Sequence, residues 1–75
     1  MDIRAVFAAN LRRARRAAGM SQEDLAYQAD IDRTYVSALE RGLYAVSIDV
    51  IDRLATALGI DPADLLARPR RSRSN

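Results

Sequence analysis

Apolar residues recur along most of this chain at spacings of three and four, the period of α-helices with one side turned to a core. Ile3, Phe7, Leu11, Ala14 and Ala18 predict a first helix from Asp2 or Ile3 to Ala18, stopped by Gly19 in a left-handed conformation. Leu25 and Ala26 belong to a second, from Gln22 to about Gln28, with Ser21 as its cap and Asp24 placed as in a capping box. Val36 and Leu39 mark the inner side of a third, from Asp32 or Arg33 to Arg41, capped by Asp32. Ile48, Ile51, Leu54, Ala55 and Leu58 form the stripe of a fourth, between the Ser47 cap and the Gly59 stop. Asp61-Pro62 opens a short fifth helix, Asp64 completing a box-like arrangement, with Leu65 and Leu66 pointing in different directions.

The second and third helices are tightly joined. Ala29-Asp30-Ile31 leaves room only for a turn, with Ile31 plugging the corner. Asp30 falls where that turn needs a left-handed backbone, which Asp tolerates better than most residues. Ala26 is small enough to let the third helix approach.

Seventy-five residues make one domain. A chain of this size buries only about 60–65% of its unfolded surface, so close packing or self-association matters. Hydrophobic residues make up 49% with only three Tyr and one Phe, which implies a core of Ala, Leu, Ile and Val. There is no Cys and no His, so no disulfide, no conventional zinc site and no ordinary Ser–His or Cys–His pair. The carboxylates are better placed for capping helices than for acid–base work. An enzyme, a metal and a cofactor are therefore not expected. No apolar run approaches the roughly 18 residues of a membrane span, and no signal-peptide pattern opens the chain, so cytoplasm is the expected compartment.

Charge is unevenly spread. Residues 1–16 carry five Arg and one Asp, residues 21–64 three Arg and nine acids, and the tail after Asp64 four Arg and no acid. Every basic residue is Arg, the side chain best suited to bidentate contact with phosphate and guanine. Basic ends around an acidic middle suit a protein that meets DNA on selected patches.

The stretch Gln22–Arg41 resembles the helix-turn-helix of the Cro and phage-repressor family, the xenobiotic-response-element type. The matching residues are Ser21-Gln22, Leu25-Ala26, Ile31, Val36, Leu39 and Glu40-Arg41-Gly42, and the resemblance covers roughly Phe7 to Leu66. The Asp-Arg-Thr-Tyr run at 32–35 is similar to the controller proteins of restriction–modification systems. The resemblance implies an all-α, compact five-helix, lambda-repressor-like DNA-binding domain over 1–67, with 68–75 as a basic disordered tail. It implies a bacterial or phage transcriptional regulator acting on double-stranded DNA, with no membrane or small-molecule partner evident.

In such a family the third helix enters the major groove by its first turns. With Val36 and Leu39 inside, Arg33, Thr34, Ser37 and Ala38 fall on the outer arc as base contacts. Arg33 can bond guanine, Thr34 and Ser37 a base edge, and Ala38 permits close approach or touches a methyl. The resemblance places Ser21, Gln22 and Arg41 on backbone phosphates. Tyr35 reaches a phosphate with its hydroxyl or lies on the fold as partial core, the phosphate being slightly favoured. It also implies an ion pair between Arg15 and Glu40 that ties the first helix to the third. The rest of the Arg12–Arg16 cluster reads equally as a solvated basic face or as phosphate contacts. Leu43-Tyr44-Ala45-Val46 departs from the family, whose relatives carry a polar or basic, Pro-containing loop there. Relatives commonly dimerise through the C-terminal region, which suggests a homodimer seam of Val46, Ile60, Leu65 and Leu66, or else those residues complete the monomer core. The alternative function is an antitoxin-like or adaptor protein whose main partner is another protein.

Overall fold

The computed structural model describes residues 2–69. Four α-helices follow one another, α1 (Ile3–Ala17), α2 (Gln22–Ala29), α3 (Arg33–Glu40) and α4 (Ile48–Leu58), and a 3₁₀ helix (Pro62–Leu65) takes the place of the expected fifth. None of these helices is long and apolar enough to cross a membrane. The chain beyond Pro69, where most of the predicted basic tail falls, lies outside the described residues.

Each helix begins on a side-chain cap. Asp2 accepts from Ala5 N–H at 3.1 Å, Asp32 from Thr34 N–H at 2.7 Å, Ser47 from Val50 N–H at 3.1 Å and Asp61 from Ala63 N–H at 2.9 Å. Ser21 and Asp24 form the complete capping box, each side chain accepting the other's backbone N–H at 3.0 Å. A cap of this kind is worth about 1 kcal/mol, so together they explain how helices as short as α2 and α3 are bounded so sharply. Asp30 does adopt the left-handed conformation, at φ 59° and ψ 48°. It turns the chain between α2 and α3 while Ile31 N–H returns to the Ala26 carbonyl at 3.0 Å.

α3 packs against both α1 and α2, α2 also meets α4, and the 3₁₀ helix bridges α1 and α4. Phe7, Leu11, Leu25, Ala26, Ala29, Val36, Leu39, Ile51, Leu54, Ala55 and Leu65 fill the shared core. Three expectations change here. Ile3 and Ala18 are exposed, and α1 instead buries Val6, Phe7, Ala8, Asn10 and Leu11, because it is covered by α3 and by the 3₁₀ helix on adjoining sides. Ile48 is 83% exposed, since it opens α4 where nothing lies over it. Leu65, placed in the dimer seam, is fully buried in the monomer. Val46 and Ile60 are half-buried against the same core, and only Leu66 of that group is exposed.

The reason for the Leu65 correction is Asn10, a buried polar residue within the apolar side of α1. Its Nδ2 donates to the carbonyls of Leu65, at 3.0 Å, and Ala67, at 2.8 Å, and its Oδ1 accepts from Arg13. This grip draws the end of the 3₁₀ helix onto α1 and turns Leu65 inward, which leaves Leu66 outward.

A second polar cluster fixes α3. Glu40, its last residue, is 3% exposed. Its carboxylate takes Arg15 Nε at 2.5 Å and Arg15 Nη2 at 2.9 Å, a bidentate arrangement from α1. Arg15 Nη1 also donates to the Met20 carbonyl at 2.9 Å, and Arg12 Nη1 donates to the Glu40 carbonyl at 2.9 Å. The hydrogen bond to Glu40 raises the pKa of Arg15 against the opposing effect of burial. Burial pushes the Glu40 carboxyl up, but hydrogen bonds from Arg15 and Gln22 and the nearby arginine charges outweigh it and hold the group below its ordinary value of 4.5.

Removing one partner strands the other charge, so Arg15→Ala should cost about 3 kcal/mol. In a domain of this size that lowers the thermal midpoint by more than about 10 °C, measurable by circular dichroism; an unchanged midpoint would reject the role. A lowered carboxyl pKa stabilises the fold above the unfolded value and ceases to do so as pH falls through the folded one. Stability should therefore decline as pH drops below about 4.5, with Asp24, lowered by its Ser21 bonds, adding to the loss. The gap between Glu40→Gln and the unmodified chain should narrow over the same range in melts taken from pH 7 to pH 3.

Candidate nucleic-acid interface

α3 divides into two unequal sides. Val36, Ala38, Leu39 and Glu40 are buried, Tyr35 and Ser37 are half-buried, and Arg33 and Thr34 are exposed. Arg41, just past the helix end, is exposed as well. Arg33, Ser37 and Arg41 follow at intervals of four, one line along the helix, with Thr34 beside its start. Asp32 caps α3, so the exposed Arg33 and Thr34 occupy its first turn, directly after the turn from α2.

Ala38 is a correction. Its 4% exposure excludes it from the open arc where it was expected. Because α3 is held by both α1 and α2, its buried side is wider than Val36 and Leu39 alone indicate. The remaining candidate arc is Arg33, Thr34 and Ser37.

The candidate phosphate contacts fall in two groups. Ser21 and Gln22 stand together at the start of α2. The Ser21 hydroxyl is occupied as the capping acceptor, and Gln22 Nε2 donates to Glu40 Oε1 at 3.2 Å. Tyr35 and Arg41 belong to α3 and its end. Tyr35 packs partly on the core, with its ring 6.5 Å from that of Tyr44 and tilted 35° to it. The apolar loop after α3 is thus divided: Val46 faces the core, while Leu43 and Tyr44 remain 52% and 56% exposed.

Sequence reasoning missed Asn10, the link from Gln22 to Glu40 and the link from Arg12 to the Glu40 carbonyl. Asn10 did carry a signal: it stands three residues after Phe7 and one before Leu11, a polar residue at core spacing. Arg12 lies three residues before Arg15, on a neighbouring part of the same helix surface. Gln22 offered nothing comparable, since its partner is remote in sequence. Among the described residues no group of three or more Asp or Glu is arranged to hold a metal ion.

The arrangement can be set beside known proteins. The family model described as a helix-turn-helix domain matches residues 6–68. Control protein C.BamHI of Bacillus amyloliquefaciens is 46% identical over 66 residues, covering 87% of this chain and 82% of that protein. A hypothetical transcription factor of Neisseria meningitidis serogroup B is 46% identical over 69 residues, covering 92% of this chain; the chain spans only 65% of that relative's length. The crystal structure of the hypothetical transcription factor from Neisseria has a TM-score of 0.88 at 47% identity, over 91% of this chain and 78% of that one. The restriction–modification controller protein C.Esp1396I, solved as a tetramer in complex with its natural 35 base-pair operator, has a TM-score of 0.79 at 28% identity, over 87% of this chain and 86% of that one. By sequence and by backbone, this chain belongs to the helix-turn-helix family and is similar, within it, to the restriction–modification controller proteins.

Proposed function

We propose that this chain is a sequence-specific, double-stranded-DNA-binding transcriptional regulator that acts without catalysis, in the cytoplasm, as a homodimer on a pseudo-palindromic site. The observation that carries the reading is the polar arc at the start of α3: Arg33 and Thr34 open to solvent, Ser37 beside them, and the opposite side of the same helix sealed. The names of the relatives and the operator-bound controller structure support it.

α3 lies in the major groove with Arg33, Thr34 and Ser37 toward base edges. Arg33 takes a guanine through O6 and N7, while Thr34 and Ser37 bond a base or meet a thymine methyl. Ser21, Gln22, Tyr35 and Arg41 flank that contact on the phosphate backbone and set its register without reading sequence. A two-fold dimer places its half-sites about 34 Å apart, one helical turn, or a multiple of it.

The exposed apolar residues support self-association. A hollow of about 400 Å³ is lined by Ile3, Arg4, Phe7, Tyr44, Val46 and Leu66, and one of about 420 Å³ by Ile48, Asp49, Asp52, Pro62 and Leu66. Leu66 is common to both. A surface with protruding Ile48 and Tyr44 beside apolar hollows is costly to leave in water. Arg4 on one hollow and Asp49 and Asp52 on the other give it charges of both signs. We assign the dimer seam to this face, with Leu66 and Val46 retained from the expected set and Ile3, Tyr44 and Ile48 added.

Two measurements test the reading. Arg33→Ala should cost about 1–3 kcal/mol in binding to the preferred sequence and relax preference at one base pair per half-site, seen by selecting bound duplexes from a random pool. An equal loss on every sequence would make Arg33 a phosphate contact only. Ile48→Glu should shift the chain to monomer in analytical ultracentrifugation without lowering the thermal midpoint of the monomer, because the side chain packs on little in the single chain. A dimer that persists in this variant rejects the assigned face.

A further inference from the structure

The polar cluster at the end of α3 does more than join two helices. Glu40 is the point where three elements meet: α1 through Arg12 and Arg15, α3 by its own backbone, and α2 through Gln22. Arg15 extends the cluster to the Met20 carbonyl, in the segment that leads into the Ser21 cap. The two carboxylate oxygens are unequally used. Oε2 takes Arg15 Nε, while Oε1 takes both Arg15 Nη2 and Gln22 Nε2.

An ion pair needs only Arg15 and Glu40. The bond from Gln22 therefore calls for its own account. Gln22 is a half-buried residue at the first position of α2, where a long, flexible side chain would otherwise sample many rotamers. Its amide nitrogen carries two hydrogens in a plane, directed about 120° apart. Glu40 accepts one and thereby fixes the direction of the other. The carboxylate that does so is itself locked by the bidentate Arg15 guanidinium and is 3% exposed, so it is a rigid anchor.

We propose that Glu40 is a positioning residue for DNA-backbone binding: it holds the Gln22 amide so that the second N–H is presented to a phosphate, and Arg15 keeps Glu40 in place to do this. This rests on the functional reading above. The arrangement lowers the rotamer entropy that Gln22 would lose on contact, and it does so from a residue that never touches the nucleic acid. It also ties the backbone contact to the seating of α3, so register and base reading are set by one cluster.

The test is a double-mutant cycle on the full chain, using a selected duplex and an unrelated duplex at fixed salt. Gln22→Met, which keeps length and removes the donor, should weaken both duplexes by the same factor, about tenfold for a charge-assisted bond. In a Glu40→Met background, which offers the amide no acceptor, the same change should cost less than about twofold, because the amide is no longer held. A purely structural Glu40 would lower the melting point but leave the Gln22 factor at its full value, which overturns the proposal. So does a Gln22→Met variant that binds both duplexes as well as the unmodified chain. Where Glu40→Met proves too unstable, the side-chain amide signals of Gln22 in the unmodified chain decide by NMR. Adding duplex should move the outer proton well beyond the one bonded to Glu40; two unmoved signals reject the proposal. Absence of binding by the unmodified chain to any selected duplex would instead reject the DNA reading itself, an outcome separate from all of these.

Discussion

The fold turns on a carboxylate removed from water. Glu40 can be buried only because Arg15 meets it with two parallel hydrogen bonds and Gln22 adds a third. Once that cluster is formed, the end of α3, the C-terminal half of α1 and the beginning of α2 have fixed relations. A core made of Ala, Leu, Ile and Val can be repacked in several ways at small cost. A bidentate guanidinium–carboxylate pair cannot slide, so it adds direction to the non-directional pressure of hydrophobic burial.

Asn10 performs a comparable task where α1 meets the 3₁₀ helix. The 3₁₀ helix has only one turn, too short to hold itself on the body by its own burial. Two hydrogen bonds from a buried amide supply the missing constraint and decide which of two adjacent leucines goes inside. The molecule is thus an apolar centre with two polar fasteners, both of them provided by α1.

Helix positions were legible because their signals are local: caps, glycine stops and apolar spacing belong to neighbouring residues. The Asp32 cap, the capping box of Ser21 and Asp24 and the left-handed Asp30 depend on nothing beyond a turn of chain. The pairing of Arg15 with Glu40 came from resemblance, since no pattern of spacing joins residues twenty-five apart. What stayed hidden depended on how many neighbours each helix acquires. Ala38 reads as an outside residue because only two apolar residues mark the inner side of α3, whereas contact with two helices widens it. Ile48 has the spacing of an inside residue, but spacing gives a direction around the helix axis and not how far along it the cover extends. Leu65 and Leu66 are equally apolar, and only the carbonyl grip of Asn10 separates them.

The unpaired apolar face has a consequence for control. In the proposed dimer, assembled through a surface that each copy leaves open when alone, the two-headed species forms in proportion to the square of the chain's abundance while association is weak. Doubling the supply of chain then roughly quadruples the active form. A switch of that kind needs no effector molecule: the rate at which the chain is made becomes the signal.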